Sequence, residues 1–128
     1  MILADTSVAI EVYRHRPAHL LQIIVVHDAA ICGVTVAELH AGARTTAEQS
    51  RCAATVSAFQ TLNIPETLWL IVGRTIATLR AGGLTIPFVD AVLAALAVDL
   101  GIELWTYDAH FSLAQVHLPG LRLFQEPP

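Results

Sequence analysis

Four carboxylates in this 128-residue chain lie where they could act together. Asp5 directly follows a short apolar run, and Asp108 falls in the turn after another. Glu38 and Asp90 lie near the starts of otherwise apolar helical segments. Taken singly, each acid could serve as a turn residue or favour the positive end of a helix dipole. Gathered in one crevice, the four would repel one another and be costly to desolvate, unless a divalent cation such as Mg²⁺ or Mn²⁺ lay between them. Such a site can activate water for displacement at phosphorus.

Alternating strands and helices would position these acids. Apolar segments predict strands at 1–4, 30–33, 102–106 and 121–124, and a short extended piece at 63–65. Helical periodicity and capping signals predict helices at 7–14, 17–27, 35 onward, 46–62, 66–80, 88–100 and 109–116. Strands that are apolar throughout and alternate with helices are typical of a parallel sheet covered on both faces. The carboxyl ends of parallel strands share one edge, so Asp5 and Asp108 are expected to lie together there.

Two capping assignments follow from local sequence. Thr6 or Ser7 is expected to cap the first helix. The run from Thr35 to Glu38 matches the capping-box pattern, so Thr35 is expected to cap the helix that carries Glu38.

The acids also lie in four short segments whose residues and order along the chain indicate a protein family. These read Ile2-Leu3-Ala4-Asp5-Thr6-Ser7, Val34-Thr35-Val36-Ala37-Glu38-Leu39-His40-Ala41-Gly42, Ile86-Pro87-Phe88-Val89-Asp90-Ala91 and Thr106-Tyr107-Asp108-Ala109-His110-Phe111. In order and spacing they resemble the PIN-domain nucleases, and within them the VapC-type toxins of bacterial toxin–antitoxin pairs. The resemblance covers nearly the whole chain. One segment alone is weakly specific, whereas four in order are strongly so.

The resemblance implies a single PIN domain over residues 1–128, with a PIN-like three-layer α/β/α sandwich and a central parallel sheet. It implies Mg²⁺ or Mn²⁺ bound by acids that are also the catalytic residues, with two hydroxyls that orient them. These residues are Asp5, Glu38 (directly or through water), Asp90 and Asp108, with Thr6 and Thr106 as the hydroxyls. All four acidic positions are filled, which favours an active enzyme.

The implied activity is that of a metal-dependent endoribonuclease toxin that hydrolyses RNA phosphodiester bonds through a metal-activated water. The implied partners are RNA, a second copy in a homodimer, and a VapB-type antitoxin. Apolar stretches at 20–26 and 68–72 are expected to supply partner surfaces. The alternatives are a PIN nuclease of RNA processing without an antitoxin, and a non-catalytic binding module. A phospho-accepting receiver domain is disfavoured because it would need a late lysine.

The chain contains no lysine, and all seven of its basic residues are arginines. This excludes P-loop nucleotide binding, protein kinase chemistry and Schiff-base catalysis, each of which needs a lysine. The net charge of −4 does not indicate a basic surface. Individual arginines are therefore the candidate phosphate contacts, namely Arg14, Arg44 and Arg80.

The other polar residues predict less. The histidines lack zinc-ligand spacing, although His110 follows Asp108 closely enough to contact a phosphate. Asp99 and Glu11 are interpreted as solvated helix surface. Cys32 and Cys52 form no CxxC motif, which fits reduced thiols. With no signal peptide and no membrane span, the expected location is the cytoplasm.

Overall fold

The computed structural model describes residues 1–128 and contains four strands and seven helices. In chain order these are β1 (Ile2–Ala4), α1 (Thr6–His15), α2 (Ala18–Val26), β2 (Ala29–Cys32), α3 (Gly33–Ala41), α4 (Thr46–Ser57), β3 (Gln60–Leu62), α5 (Leu68–Ala81), α6 (Phe88–Leu100), β4 (Glu103–Trp105) and α7 (His110–Gln115). The strands form one sheet in the order β3-β2-β1-β4, and every neighbouring pair is parallel.

Helices cover both faces of this sheet. Successive side chains of β1 point to opposite faces, so Leu3 packs with α5, α6 and α7, whereas Ile2 and Ala4 pack with α1 and α2. Because β1 is buried on both faces, an apolar residue is needed at each of its positions. The predicted α/β/α sandwich with a central parallel sheet is confirmed.

The register of the central strands brings two distant parts of the chain together. Ala4 of β1 pairs with Trp105 of β4, and the Asp5 amide donates to the Trp105 carbonyl over 3.0 Å. Asp5 and Thr106 therefore leave the sheet side by side at its carboxyl edge. The expectation that Asp5 and Asp108 lie at the same edge is met.

Two predicted elements were wrong in part. The helix predicted at 46–62 ends at Ser57, and Gln60–Leu62 instead forms an edge strand along β2. In this strand Gln60 and Thr61 are both polar and exposed, so the sequence lacks the apolar–polar alternation that would distinguish a strand from a continuing helix. The strand predicted at 121–124 is reduced to a single bridge between Leu104 and Leu123. The other helix and strand boundaries lie within about two residues of the predicted ones.

Both capping predictions were also wrong. Asp5, not Thr6 or Ser7, is the N-cap of α1. Helix α3 begins at Gly33, which places Thr35 inside the first turn, fully buried and with its hydroxyl unpaired. A threonine cap does occur at α4, where Thr45 Oγ1 accepts from the Glu48 amide over 3.1 Å.

No helix of the structure is both long enough and apolar enough to cross a membrane.

Candidate metal centre

Asp5 is held rigidly at the carboxyl end of β1, where only 3% of its surface is exposed. Its Oδ1 accepts from the Val8 amide over 3.2 Å and from Ser7 Oγ over 2.5 Å, and its Oδ2 accepts from the Thr106 hydroxyl. Burial raises the pKa of this carboxyl above its ordinary value, and the hydrogen bonds offset the rise only in part. The same residue therefore caps a helix and presents a buried carboxylate at the sheet edge.

Asp90, Asp108 and His110 form a compact cluster beside this edge. His110 Nδ1 lies 3.1 Å from Asp90 Oδ2 and 3.2 Å from Asp108 Oδ1. One ligand atom from each of the three side chains falls within 4.8 Å of the others. Asp90 comes from the first turn of α6, whereas Asp108 and His110 come from the turn that joins β4 to α7. Packing of α6 against α7 thus brings acids 18 positions apart in the sequence into one group.

The environment of Asp90 disfavours its negative charge. Burial is the main cause of a raised pKa at this carboxyl, and the charges of Asp108 and Asp5 raise the pKa further. His110 opposes the rise through its hydrogen bond and its charge. Asp90 thus lies beside other acids and a single imidazole, which is the electrostatic setting that a bound cation would stabilise.

Glu38 lies at the border of this cluster. It is exposed on α3 and accepts a hydrogen bond from the Thr6 hydroxyl, at the start of α1 directly after Asp5. The group of ligand atoms within 4.8 Å of one another includes neither Glu38 nor Asp5. The structure thus brings together Asp90 and Asp108, connects Asp5 to them through Thr106, and places Glu38 beyond Thr6.

Hydroxyl groups connect the β1–α1 junction to the turn after β4 by hydrogen bonds. Thr106 donates to Asp5 and accepts from the Asp108 amide over 2.9 Å. Ser7 donates to Asp5 and accepts from the Tyr107 amide over 3.0 Å. Thr6 and Thr106 therefore each donate to a carboxylate, as a role in orienting the acids requires. Ser7 was missed as a site residue, although an Asp-x-Ser turn at a helix start is a recognised signal for such hydrogen bonds.

The donor set fits a divalent cation. Carboxylate oxygens suit Mg²⁺ and Mn²⁺, while an imidazole nitrogen within the same cluster suits Mn²⁺ better than Mg²⁺. A cavity of about 400 Å³ lined by Asp108 and another of about 330 Å³ lined by Glu38 leave space for a substrate near the acids. The arrangement can hold a cation at the sheet edge and admit an extended anionic ligand to it.

The position of His110 leads to a test of this donor set. We expect His110→Ala to weaken Mn²⁺ binding about tenfold and Mg²⁺ binding by less, because only the nitrogen donor distinguishes the two ions. Isothermal titration calorimetry at neutral pH measures both affinities. His19→Ala, on the exposed part of α2, is the matched control. Tighter binding of both ions by His110→Ala would show that the imidazole competes with the metal instead of binding it.

The family model described as PIN domain matches residues 2–116. Among solved structures, the chain is similar to VapBC2 from Rickettsia felis bound to a DNA fragment from its promoter, with a TM-score of 0.83, 20% identity, and coverage of 97% of this chain and 98% of that chain.

Two further solved structures are similar over almost their whole length. DNA-bound VapBC from Salmonella typhimurium has a TM-score of 0.80 and 21% identity, with 96% of each chain covered. VapBC-1 from nontypeable Haemophilus influenzae has a TM-score of 0.76 and 21% identity, with 98% of each chain covered. No curated protein shows significant sequence similarity to this chain. At this level of identity the solved structures show a common fold, and the match over residues 2–116 shows that the chain belongs to the PIN domain family.

Proposed function

We propose that this chain is a metal-dependent endoribonuclease and the toxin of a toxin–antitoxin pair. The observation that carries the proposal is the cluster of Asp90, Asp108 and His110 beside buried Asp5, within a PIN fold. Acids that lie close together without a compensating positive charge repel one another and destabilise the folded state. Such unfavourable arrangements are concentrated at functional sites.

Asp5, Asp90 and Asp108 would hold Mg²⁺ or Mn²⁺, with Glu38 reached directly or through water. A divalent cation at such a site lowers the pKa of a coordinated water and stabilises negative charge on phosphate oxygens. The Ser7 and Thr106 hydroxyls fix both oxygens of Asp5, so its carboxylate cannot rotate away from the edge. His110 uses Nδ1 toward the acids, which leaves Nε2 of its half-exposed ring for a phosphate oxygen.

The nature of the RNA ends tests this mechanism. Because water and not the ribose 2′-hydroxyl is the proposed nucleophile, the products should carry 5′-phosphate and 3′-hydroxyl ends. Sequencing of 5′ ends after induction in cells, with and without a ligation step that requires a 5′-phosphate, checks this and maps the cleaved RNA. Ends bearing a 2′,3′-cyclic phosphate would contradict the mechanism.

The proposed partners are a VapB-type antitoxin and a second copy of the chain, in the cytoplasm. Support comes from the solved VapBC structures with the same fold and from exposed apolar side chains on α2 and α5. Val25 and Val26 are 80% and 68% exposed, and Leu70 is 62% exposed. Together with Trp69, which is 42% exposed, these are the large apolar side chains left uncovered in the stretches predicted to contact partners. Finding an antitoxin reading frame just upstream of this gene would favour this proposal over a nuclease of RNA processing that has no antitoxin, and its absence would favour the latter.

A further inference from the structure

Arginine side chains gather on the surface where the end of α1 meets α4. Arg14, His15, Arg16 and Arg51 line one cavity of about 210 Å³, together with Tyr13, Ala54 and Thr55. No acidic residue lines this cavity, and no other cavity of the chain contains more than one arginine. Three of the seven arginines of a chain with net charge −4 are thus concentrated at one place.

The central arginine of this cluster is held in place. Arg51 Nη2 donates to the Tyr13 carbonyl over 2.8 Å, and the guanidinium carbon lies 4.4 Å from the centre of the Tyr13 ring. This hydrogen bond satisfies a carbonyl in the last turn of α1 but uses one of the five guanidinium N–H groups. The others remain available in a side chain whose orientation is already fixed, which lowers the entropic cost of binding an anion.

Structural roles do not account for the whole cluster. Arg14 and His15 in the last turn of α1 favour the negative end of the helix dipole. Arg16 lies beyond the helix, in a left-handed backbone conformation with φ of 43°, and is exposed. Both ion pairs of the chain involve His110, and none of the arginines lies within 4.0 Å of a carboxylate oxygen. The cluster therefore carries positive charge that the protein itself leaves unpaired.

The cluster is continuous with the candidate metal centre. The neighbouring cavity of about 330 Å³ is lined by Tyr13 and Arg14 and also by Glu38 and Glu48. Tyr13 and Arg14 thus belong to both cavities, and a surface path leads from Glu38, at the border of the candidate metal centre, to the arginines. A polyanionic strand that has one phosphate at the metal centre can follow this path.

We propose that Arg14, Arg16 and Arg51 bind backbone phosphates of single-stranded RNA at a distance from the cleaved bond. This inference rests on the proposed nuclease function and extends it. Guanidinium groups bind phosphate oxygens in a bidentate manner, and a cationic groove with an aromatic side chain is typical of single-strand binding. Because such contacts read the backbone, the site would contribute affinity and direction to the RNA without base specificity.

The test removes two charges from the cluster and compares the effect with the same change elsewhere. The cluster variant is Arg14→Gln with Arg16→Gln, both exposed, and the control is Arg74→Gln with Arg122→Gln, which are exposed and are not among the candidate phosphate contacts. Fluorescence anisotropy with a short labelled single-stranded RNA of mixed sequence, in EDTA to prevent cleavage, measures Kd over a range of salt concentrations. The cluster variant is expected to bind about tenfold more weakly, and the magnitude of its salt slope should fall by about 1.4, since each single-strand phosphate contact contributes about 0.7.

Two further measurements make the result specific. Arg51→Lys keeps the charge but loses the planar fork, so it should weaken binding less than the double variant does. Mn²⁺ affinity should be the same in the cluster variant and the unchanged chain, because no arginine belongs to the metal centre.

The outcomes separate the inference from the function on which it rests. If the cluster and control variants have the same RNA affinity and salt slope while the unchanged chain cleaves RNA, the inference alone is overturned. A loss confined to binding of the antitoxin would assign the cluster to a protein partner and would also overturn it. If the unchanged chain cleaves no RNA with Mg²⁺ or Mn²⁺, the proposed nuclease function is contradicted, whatever the arginines bind.

Discussion

Asp90→Asn should reduce metal-dependent RNA cleavage at least about a thousandfold and leave the fold intact. The substitution keeps the shape of the side chain but removes one charge from a group that is proposed to hold the cation. A loss of about 4 kcal/mol of transition-state stabilisation corresponds to that factor. The fold should tolerate the change well, because burial and the neighbouring acids already disfavour the charge of Asp90.

The same helix supplies the matched control for this experiment. Asp99 lies near the other end of α6, is exposed, and loses the same charge in Asp99→Asn. Rates of RNA cleavage under single-turnover conditions, with circular dichroism of both variants, separate chemistry from folding. An Asp90→Asn preparation that cleaves RNA as fast as Asp99→Asn would remove Asp90 from the site.

Asp5→Ala is a less clean test, because Asp5 also caps α1 and accepts hydrogen bonds from Val8, Ser7 and Thr106. Loss of an N-cap costs about 1 kcal/mol. The loss of the hydroxyl contacts adds to this cost, and lower activity in Asp5→Ala would therefore combine a missing carboxylate with a weakened fold.

Binding of Mn²⁺ should raise the melting temperature by about 10 °C when the ion is present at about 100 times its Kd. Linkage predicts about 2.7 kcal/mol at that ratio, and for a chain of this length each kcal/mol corresponds to roughly 4 °C. Differential scanning fluorimetry with increasing Mn²⁺ checks the size of the shift. Asp99→Asn should keep the full shift and Asp90→Asn should lose most of it.

The direction of the pH dependence follows from the raised pKa values of Asp5 and Asp90. A carboxyl with a higher pKa in the folded state binds its proton more tightly there than in the unfolded chain. Its contribution to the stability of the metal-free fold is therefore lost as the pH rises from about 4 through the raised pKa. Because the ion binds the ionised carboxylates, the shift produced by Mn²⁺ should be larger at pH 7.5 than at pH 5. An equal shift at both pH values would show that these acids do not bind the ion.

Boundaries marked by proline and glycine were the ones that sequence predicted best. Helix α6 runs from Phe88 to Leu100 as expected, since Pro87 precedes it and Gly101 ends it with φ of 66°. Helix α3 has no such mark at its start. Its N-cap is Cys32, which makes no side-chain capping bond, so the threonine two positions after Gly33 gave a false signal. Local sequence cannot tell a cap from a buried residue of the first turn when the cap lacks a side-chain hydrogen bond.

For the candidate site, sequence reached some contacts and not others. The shared edge of Asp5 and Asp108 follows from a parallel sheet, and the resemblance to PIN domains added Asp90 and Glu38. The contact between His110 and Asp90 depends on how α6 packs against α7, and no short-range pattern encodes that packing. The proximity of Arg51 to Arg14 and Arg16 likewise depends on how α1 packs against α4, and the sequence spacing of these arginines does not predict it.

The hydrogen bond from Thr106 to Asp5 spans 101 positions of the chain and has a consequence for synthesis on the ribosome. Strand β1 is made first but lacks its β4 neighbour until residue 105 has been added. A nascent chain, or one released early by a stop codon, holds Asp5 without Thr106, Asp108 or His110 beside it. Because chains are made from the N-terminus and distant strand pairs form late, the carboxylate centre is assembled near the end of translation. An incomplete product of this gene would therefore lack the carboxylate centre on which the proposed nuclease function depends.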